Sequence, residues 1–442
     1  MNETARQTAV NRRARSSVPA ALAWYSQRRA VFSGGNEVDL LRGGDELFPA
    51  MCAAIAHAHH EIWLATYIYH DDEAARTVTR ALAAAALRGV RVRVAMDGFG
   101  SIASLASVRA ELEAAGVGVA VFRPVHGWWS WLQPGQLRRL HQKLCVVDGE
   151  IAFVGGINLI DDRLDIRHGW CEEPRLDYAV RLRGPVVAPV EQTARAMWTR
   201  AWFGRDWRDE LRDMVASPAP VVRMRRLLRR VRISLQDARR GGGPGAADMR
   251  PVRAAFVVRD NLRQRRTIER SYIEALWSAG ERIDLVTPYF YPGREFRRAL
   301  RHAARRGVQV RLLLQGKVDY RFAALAARAV YDELLAHGVR IFEYTPAFLH
   351  AKVALVDGDW ATVGSSNIDP LSLLVNLEAN VMVRDRGFVT KLAAQLDAAI
   401  ADSREITVPE WGAPTLWSRV RRAGVGWCAL VYLRVAGATG RY

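Results

Sequence analysis

At 442 residues, half of them apolar and a quarter charged, the chain is too long for one ordinary hydrophobic core and too apolar for a disordered or fibrous protein, so two lobes are expected. The formal net charge is +18, and only Lys143, Lys317, Lys352 and Lys391 among the 64 basic residues are lysines, which points to an anionic partner and makes each lysine informative. No run approaches the roughly 18 consecutive apolar residues of a spanning helix, and the scattered cysteines fit neither a zinc site nor a disulfide framework, so a protein of a reducing cytoplasm is expected.

Residues 1–35 carry Arg12, Arg13 and Arg15 without a signal-peptide apolar core and read as an extension. A first lobe is expected over 36–203. Its β-branched run at 62–69 leads into an alanine-rich helical stretch, Arg88 and Gly89 open a second strand, and Gly116 precedes a third at 117–121. Strands alternating in this way with helices indicate a mainly parallel α/β sheet. Tyr67 and Tyr69 end the first strand, where the walls of a site lie in such sheets. His57, His59, His60 and His70 lack a cysteine or acid at ligand spacing, so no metal is expected there.

An insert with Trp128, Trp129 and Trp131 follows. Indoles this closely spaced cannot all enter one core and favour the headgroup level of a bilayer, so a lipid-contacting rim is expected. Next come His141 and Lys143, an Asp148-Gly149 hairpin turn, and Gly155 and Asn158 at 14 and 17 residues after the histidine. Asp177 starts a further strand. Residues 204–251 read as a basic connector: 204–270 hold 18 arginines against 8 acids, 241–245 are a glycine-rich break, and 223–233 mix six arginines with Leu227, Leu228, Val231 and Ile233. The last of these segments reads as a helix lying on an anionic membrane surface.

A second lobe over 252–405 repeats the first. A strand at 283–290 ends near Pro288 and Tyr289, Arg306-Gly307 and Gly338 open two more, and His350, Lys352, Asp357-Gly358, Gly364 and Asn367 recur at the offsets of the first copy. Glu378 aligns with Asp177, 28 rather than 36 residues after its histidine, because the first copy has a longer loop around 161–175. The tail 406–442, with Arg419, Arg421 and Arg422 beside Trp427 and Tyr432, docks either on a bilayer or on the second lobe. The chain is an internal duplication, and two sheets are expected to face each other across a pseudo-twofold axis.

Side chains at i and i+2 of a strand share a face, so His141 projects with Lys143, and His350 with Lys352. Asp148 and Asp357 have the opposite parity and read as corner carboxylates. Each hairpin returns its asparagine to the histidine end, so two His, two Lys and two Asn converge on one pocket. It suits a phosphodiester: amines and amides hold the non-bridging oxygens, one imidazole attacks phosphorus and the other protonates the leaving oxygen. An attacking imidazole needs an acceptor on its second nitrogen. Asp177 is expected to orient His141, and Glu378 to orient His350.

These paired motifs resemble the phospholipase D superfamily, whose HxKxxxxD pattern occurs twice in one chain, and the ordered repeat extends the likeness over about residues 36–400. Residues 364–372, followed by Asn376 to Glu378, look like the bacterial cardiolipin synthases, and the lack of N-terminal spanning helices resembles their B type. The resemblance implies an α/β fold of two duplicated lobes, each a mainly parallel mixed sheet flanked by helices, with one shared active site. It also implies phosphatidyl transfer from one phosphatidylglycerol to another through a phosphohistidine, without metal or cofactor, at the cytoplasmic face of the membrane. Asp148 and Asp357 then belong to the catalytic motif, His141 is the nucleophile and His350 the general acid. The residues alone leave open hydrolysis of phospholipid or nucleic acid, and a non-catalytic membrane-surface adaptor. Arginines mixed with aliphatics, and the Trp insert, favour anionic phospholipid over nucleic acid, and an adaptor would have lost a motif residue.

Overall fold

The computed structural model describes residues 23–125, 138–166, 168–215 (side chains to 203), 252–260, 263–317, 330–369, 372–373 and 375–407. The Trp128, Trp129 and Trp131 insert, the basic segment 223–233 and the tail from 408 lie outside the described residues.

In the first lobe the strands are β1 (Ser33–Arg42), β2 (Glu61–Thr66), β3 (Arg91–Asp97), β4 (Gly118–Phe122), β5 (Lys143–Val147), β6 (Ile151–Gly155), a small hairpin β7 (Leu164–Asp165) and β8 (Gly169–Trp170), and β9 (Tyr178–Arg183). The second has β10 (Val252–Arg259), β11 (Arg282–Thr287), β12 (Gln309–Gln315), β13 (Arg340–Tyr344), β14 (Val353–Val356), β15 (Trp360–Gly364), β16 (Glu378–Arg384) and β17 (Ser403–Ile406). Connection length decides direction. Helix Glu73–Leu87 returns the chain from β2 to β3 in parallel, as Arg294–Arg305 does from β11 to β12, whereas the Asp-Gly turns fold β5 onto β6 and β14 onto β15 antiparallel. Helix Glu73–Leu87 is capped by Asp72, which accepts the N–H of Ala75, and it buries Ala75, Val78, Leu82 and Ala85 at helical spacing on the sheet.

Instead of two separate sheets, the strands form one hydrogen-bonded series: β17-β13-β12-β11-β14-β15-β16-β10-β1-β9-β6-β5-β2-β3-β4. The reason lies in β1. Only Glu37 to Arg42 are used by β9, and the preceding residues run on to the open edge of β10, with Ser33 opposite Ala254 and Asn36 opposite Val252. Buried Asn36 seals the junction, donating to the carbonyls of Ser33 and Val252 and accepting the N–H of Val186. Apart from β17, which adds to the outer edge of β13, the order reads as the same sequence of equivalents from either end, as a twofold duplication requires. One apolar layer then runs through both lobes, with Val154 and Val180 in the same cluster as Phe256, Val363 and Val381, while each lobe keeps its own outer core under its helices. Among the described residues no helix is long and apolar enough to cross a membrane.

Candidate active site

His141 and His350 stand just before β5 and β14, where the lobes meet. The meeting is reciprocal. Leu377 donates its N–H to Arg139 and accepts that of His141, at 2.9 and 3.0 Å, and Leu176 donates to Phe348 and accepts from His350, both at 2.9 Å. Each histidine segment is therefore stitched to the segment that starts the acid strand of the other lobe. The next residue after each leucine is the acid, so Glu378 Oε2 meets His141 Nδ1 at 2.9 Å and Asp177 Oδ2 meets His350 Nδ1 at 2.6 Å.

This reverses the pairing expected from the sequence, in which Asp177 served His141 and Glu378 served His350. Within one lobe β6 lies between β5 and β9, so the acid of a lobe starts two strand spacings, about 10 Å, from its own histidine. Across the lobe boundary the segments that precede the histidine and acid strands pair directly, through the Leu140–Leu377 and Leu176–Leu349 bridges.

The two pairs differ chemically. Glu378 also accepts the hydroxyl of Ser365 at 2.5 Å, whereas the equivalent residue in the first lobe is Gly156, where a Cβ would collide with Asp177 Oδ1. Burial alone would raise both acids. The charges of His141 and Lys143 and the Ser365 hydroxyl bring Glu378 below the ordinary glutamate range, while burial outweighs Lys352 and pushes Asp177 up to about 7. Burial also lowers both histidines, His350 well below the usual value because Lys352 and Arg175 add to it. The His350–Asp177 pair thus keeps a shared proton at a pH where Glu378 is ionised.

Lys143 and Lys352 are buried, each donating from Nζ to the carbonyl of its own histidine. Burial lowers Lys143 to about 8 and Lys352 to about 7. A lysine depressed in this way loses its charge as pH rises through that value, and a bound anion raises it again. In a pH profile on a short-chain phospholipid, kcat/KM is therefore expected to fall above pH 7–8 while kcat falls only at higher pH. Coincident alkaline limbs would show that the lysines do not bind the anion.

Asn158 and Asn367 are buried three residues after Gly155 and Gly364, which pair with Lys143 and Lys352. Asn158 accepts the N–H of Ile68 at 3.2 Å, while Oδ1 of Asn367 is buried with no partner among the described residues. Tyr67 is a wall, its ring 4.9 Å from that of His141 and 5.4 Å from Lys143 Nζ. Tyr69 is not: it is fully buried and bonds Thr79. Asp148 and Asp357, grouped with the catalytic residues by the motif, are not in the pocket. Each turns the far end of its hairpin at φ +53° or +52°, seven residues and about 23 Å of extended chain from the histidine. There Asp148 accepts the N–H groups of His59, His60 and Glu61, and Asp357 those of Gly280, Glu281 and Arg282. They are the corner carboxylates that strand parity indicated.

Sequence reasoning missed Asp97. It is fully buried at the end of β3, where one oxygen accepts Phe99 and Gly100 and the other accepts Leu140 N–H at 2.9 Å, fixing the residue before His141. Gln315, at the end of β12, accepts Leu349 N–H at 2.7 Å in the same way. Comparing strand ends in the two copies was the signal available.

A family profile described as "Cardiolipin synthase, PLD-like domain" matches residues 51–171 and 272–400. The chain is 38% identical over 367 residues to cardiolipin synthase B of Escherichia coli (strain K12), covering 83% of this chain and 81% of that one. It is 32% identical to cardiolipin synthase A of Pseudomonas fluorescens, covering 85% of this chain and 71% of that one. Among solved structures, phosphatidylserine synthase of Haemophilus influenzae Rd KW20 superposes with a TM-score of 0.59 at 12% identity, covering 90% of this chain and 94% of that one, which is a likeness of fold.

Proposed function

The chain belongs to the phospholipase D-like cardiolipin synthase family, and on that premise we propose that it transfers a phosphatidyl group from one phosphatidylglycerol to the glycerol hydroxyl of another, at the cytoplasmic face of an anionic membrane. The observation that carries the reading is the pair of cross-lobe carboxylate–imidazole contacts, which hold two oriented histidines at the junction of the lobes, each with a buried lysine bonded to its carbonyl.

His141 is the nucleophile in this scheme. Ionised Glu378 accepts its Nδ1–H, leaving the Nε2 lone pair for phosphorus and stabilising the cation that forms. As the N–P bond forms, the P–O bond to the first glycerol breaks, and His350 supplies the proton. Lys143, Lys352, Asn158 and Asn367 hold the non-bridging oxygens as charge moves onto them. In the second half the acceptor hydroxyl attacks the phosphohistidine, its proton returns to His350, and cardiolipin leaves.

Incubation with phosphatidylglycerol vesicles and separation of the lipids tests the scheme. Cardiolipin with an equal amount of glycerol is expected. Phosphatidic acid alone would make the protein a hydrolase, and unchanged lipid would make it an adaptor. Vesicle binding that is insensitive to salt would sink the anionic-surface part of the scheme.

A further inference from the structure

The duplicated His, Lys and Asn set is built to hold one phosphodiester. A transferase of the kind proposed above must hold two phospholipids, and the acceptor brings a second phosphate, a three-carbon glycerol away from the hydroxyl that attacks. That second anion needs a cation outside the duplicated set, on the side of His350, which takes the acceptor's proton.

The first lobe departs from the second at this side. The loop from Asn158 to Asp177 is eight residues longer than that from Asn367 to Glu378 and folds into the β7–β8 hairpin, with Leu164 opposite Trp170. Its base is anchored: Asp161 accepts Leu164 N–H, Asp162 accepts Gly44 N–H at 2.5 Å, and the Asp162 carbonyl accepts Arg175 N–H. The hairpin leans on the second lobe, with the His168 ring 5.2 Å from Phe348, two residues before His350.

Arg175 ends the loop. It immediately precedes Leu176, whose carbonyl accepts the N–H groups of His350 and Ala351 at 2.9 Å. Its side chain is 12% exposed, donates to the Leu164 carbonyl at 3.0 Å and lies 3.7 Å from Asp165, and its charge helps to depress both His350 and Lys352. The equivalent residue in the second lobe, Asn376, is neutral, and the guanidinium next to it comes instead from β10, where Arg259 donates to the Asn376 carbonyl. Trp170 and Ile166, 68% and 53% exposed, project apolar surface from the same hairpin.

Resting on the transferase reading, we propose that this hairpin and Arg175 form the subsite of the acceptor phospholipid, Arg175 holding the acceptor's own phosphate while Trp170 and Ile166 meet its acyl-glycerol part. A guanidinium fork matches a phosphate by paired N–H donors, and an indole suits the headgroup boundary of a lipid. The acceptor hydroxyl oxygen forms its bond to phosphorus as the bond to His141 breaks, and its proton passes to His350.

The test is an internal competition. Phosphatidylglycerol vesicles are supplied together with ethanol, an acceptor without phosphate, and the ratio of cardiolipin to phosphatidylethanol is measured. Arg175→Gln is expected to lower that ratio by about tenfold or more, the size of one charge-assisted hydrogen bond, and Arg175→Lys to restore part of it. Trp170→Ala should lower it too, and it remains informative if Arg175→Gln fails to fold. General damage to the pocket lowers both products together, so an unchanged ratio in Arg175→Gln or in Trp170→Ala overturns the subsite. Failure of the wild-type protein to make any cardiolipin would instead overturn the transferase reading itself.

Discussion

Replacing either imidazole, in His141→Ala or His350→Ala, is expected to lower cardiolipin formation by about six orders of magnitude, with neither loss milder than the other, because groups that act as a unit lose nearly everything on the first removal. The two variants should still differ in what they accumulate. His350→Ala keeps the nucleophile and Glu378 behind it, so rapid denaturation at alkaline pH followed by peptide mass spectrometry should find the phosphatidyl group, or its deacylated glycerophosphoryl form, on the His141 peptide when the donor carries a leaving group that needs no proton. His141→Ala should yield no such modified peptide under the same conditions. The direction follows from the unequal pairs: Ser365 and Lys143 keep Glu378 ionised, as a carboxylate behind a nucleophile must be, while Asp177, pushed up to about 7, shares a proton with His350, as suits an acid. The same group on His350 alone would exchange the roles. Full activity in either variant would end the phosphohistidine scheme.

Much of this arrangement was legible in the residues. The duplication, the His-x-Lys parity, the Asp-Gly turns and the return of each asparagine follow from strand period and hairpin geometry, which are local properties. Asp148 and Asp357 show that parity outweighs motif membership: the motif grouped them with the chemistry, while their position at the far corner of each hairpin makes them ties for the start of β2 and β11. What could not be read was which lobe each acid serves. A repeat fixes that two equivalent acids exist but not how two copies are placed against each other. That depends on the reciprocal Leu140–Leu377 and Leu176–Leu349 bridges, contacts between segments more than 170 residues apart. The continuous sheet was hidden for the same reason, since nothing local says that Ser33 to Asn36 will pair with β10. The functional asymmetry was printed in the alignment of Gly156 with Ser365, yet it acquires meaning only once Asp177 is seen against the first and Glu378 bonded to the second.

The crossed pairing makes the second large prediction. Glu378→Gln and Asp177→Asn preserve size, and each should fold, but each replaces an acceptor by a group that can present an amide N–H to the imidazole and favour the wrong tautomer. Turnover should fall by about 10⁴-fold in each, the cost of the corresponding change in a Ser-His-Asp triad. Location separates the crossed from the uncrossed arrangement. In nitrogen-15-labelled protein, the Nδ1–H resonance displaced by Glu378→Gln should be that of His141, and the one displaced by Asp177→Asn that of His350, because the contacts of 2.9 and 2.6 Å run between lobes. Glu378→Gln should also suppress the modified His141 peptide, since the nucleophile loses its orientation before the first bond forms. Asp177→Asn should leave that peptide detectable with a donor whose leaving group needs no proton, since its effect falls on proton transfer through His350. A Glu378→Gln change that moved the His350 resonance and spared that of His141 would restore the pairing within each lobe and refute the crossed site.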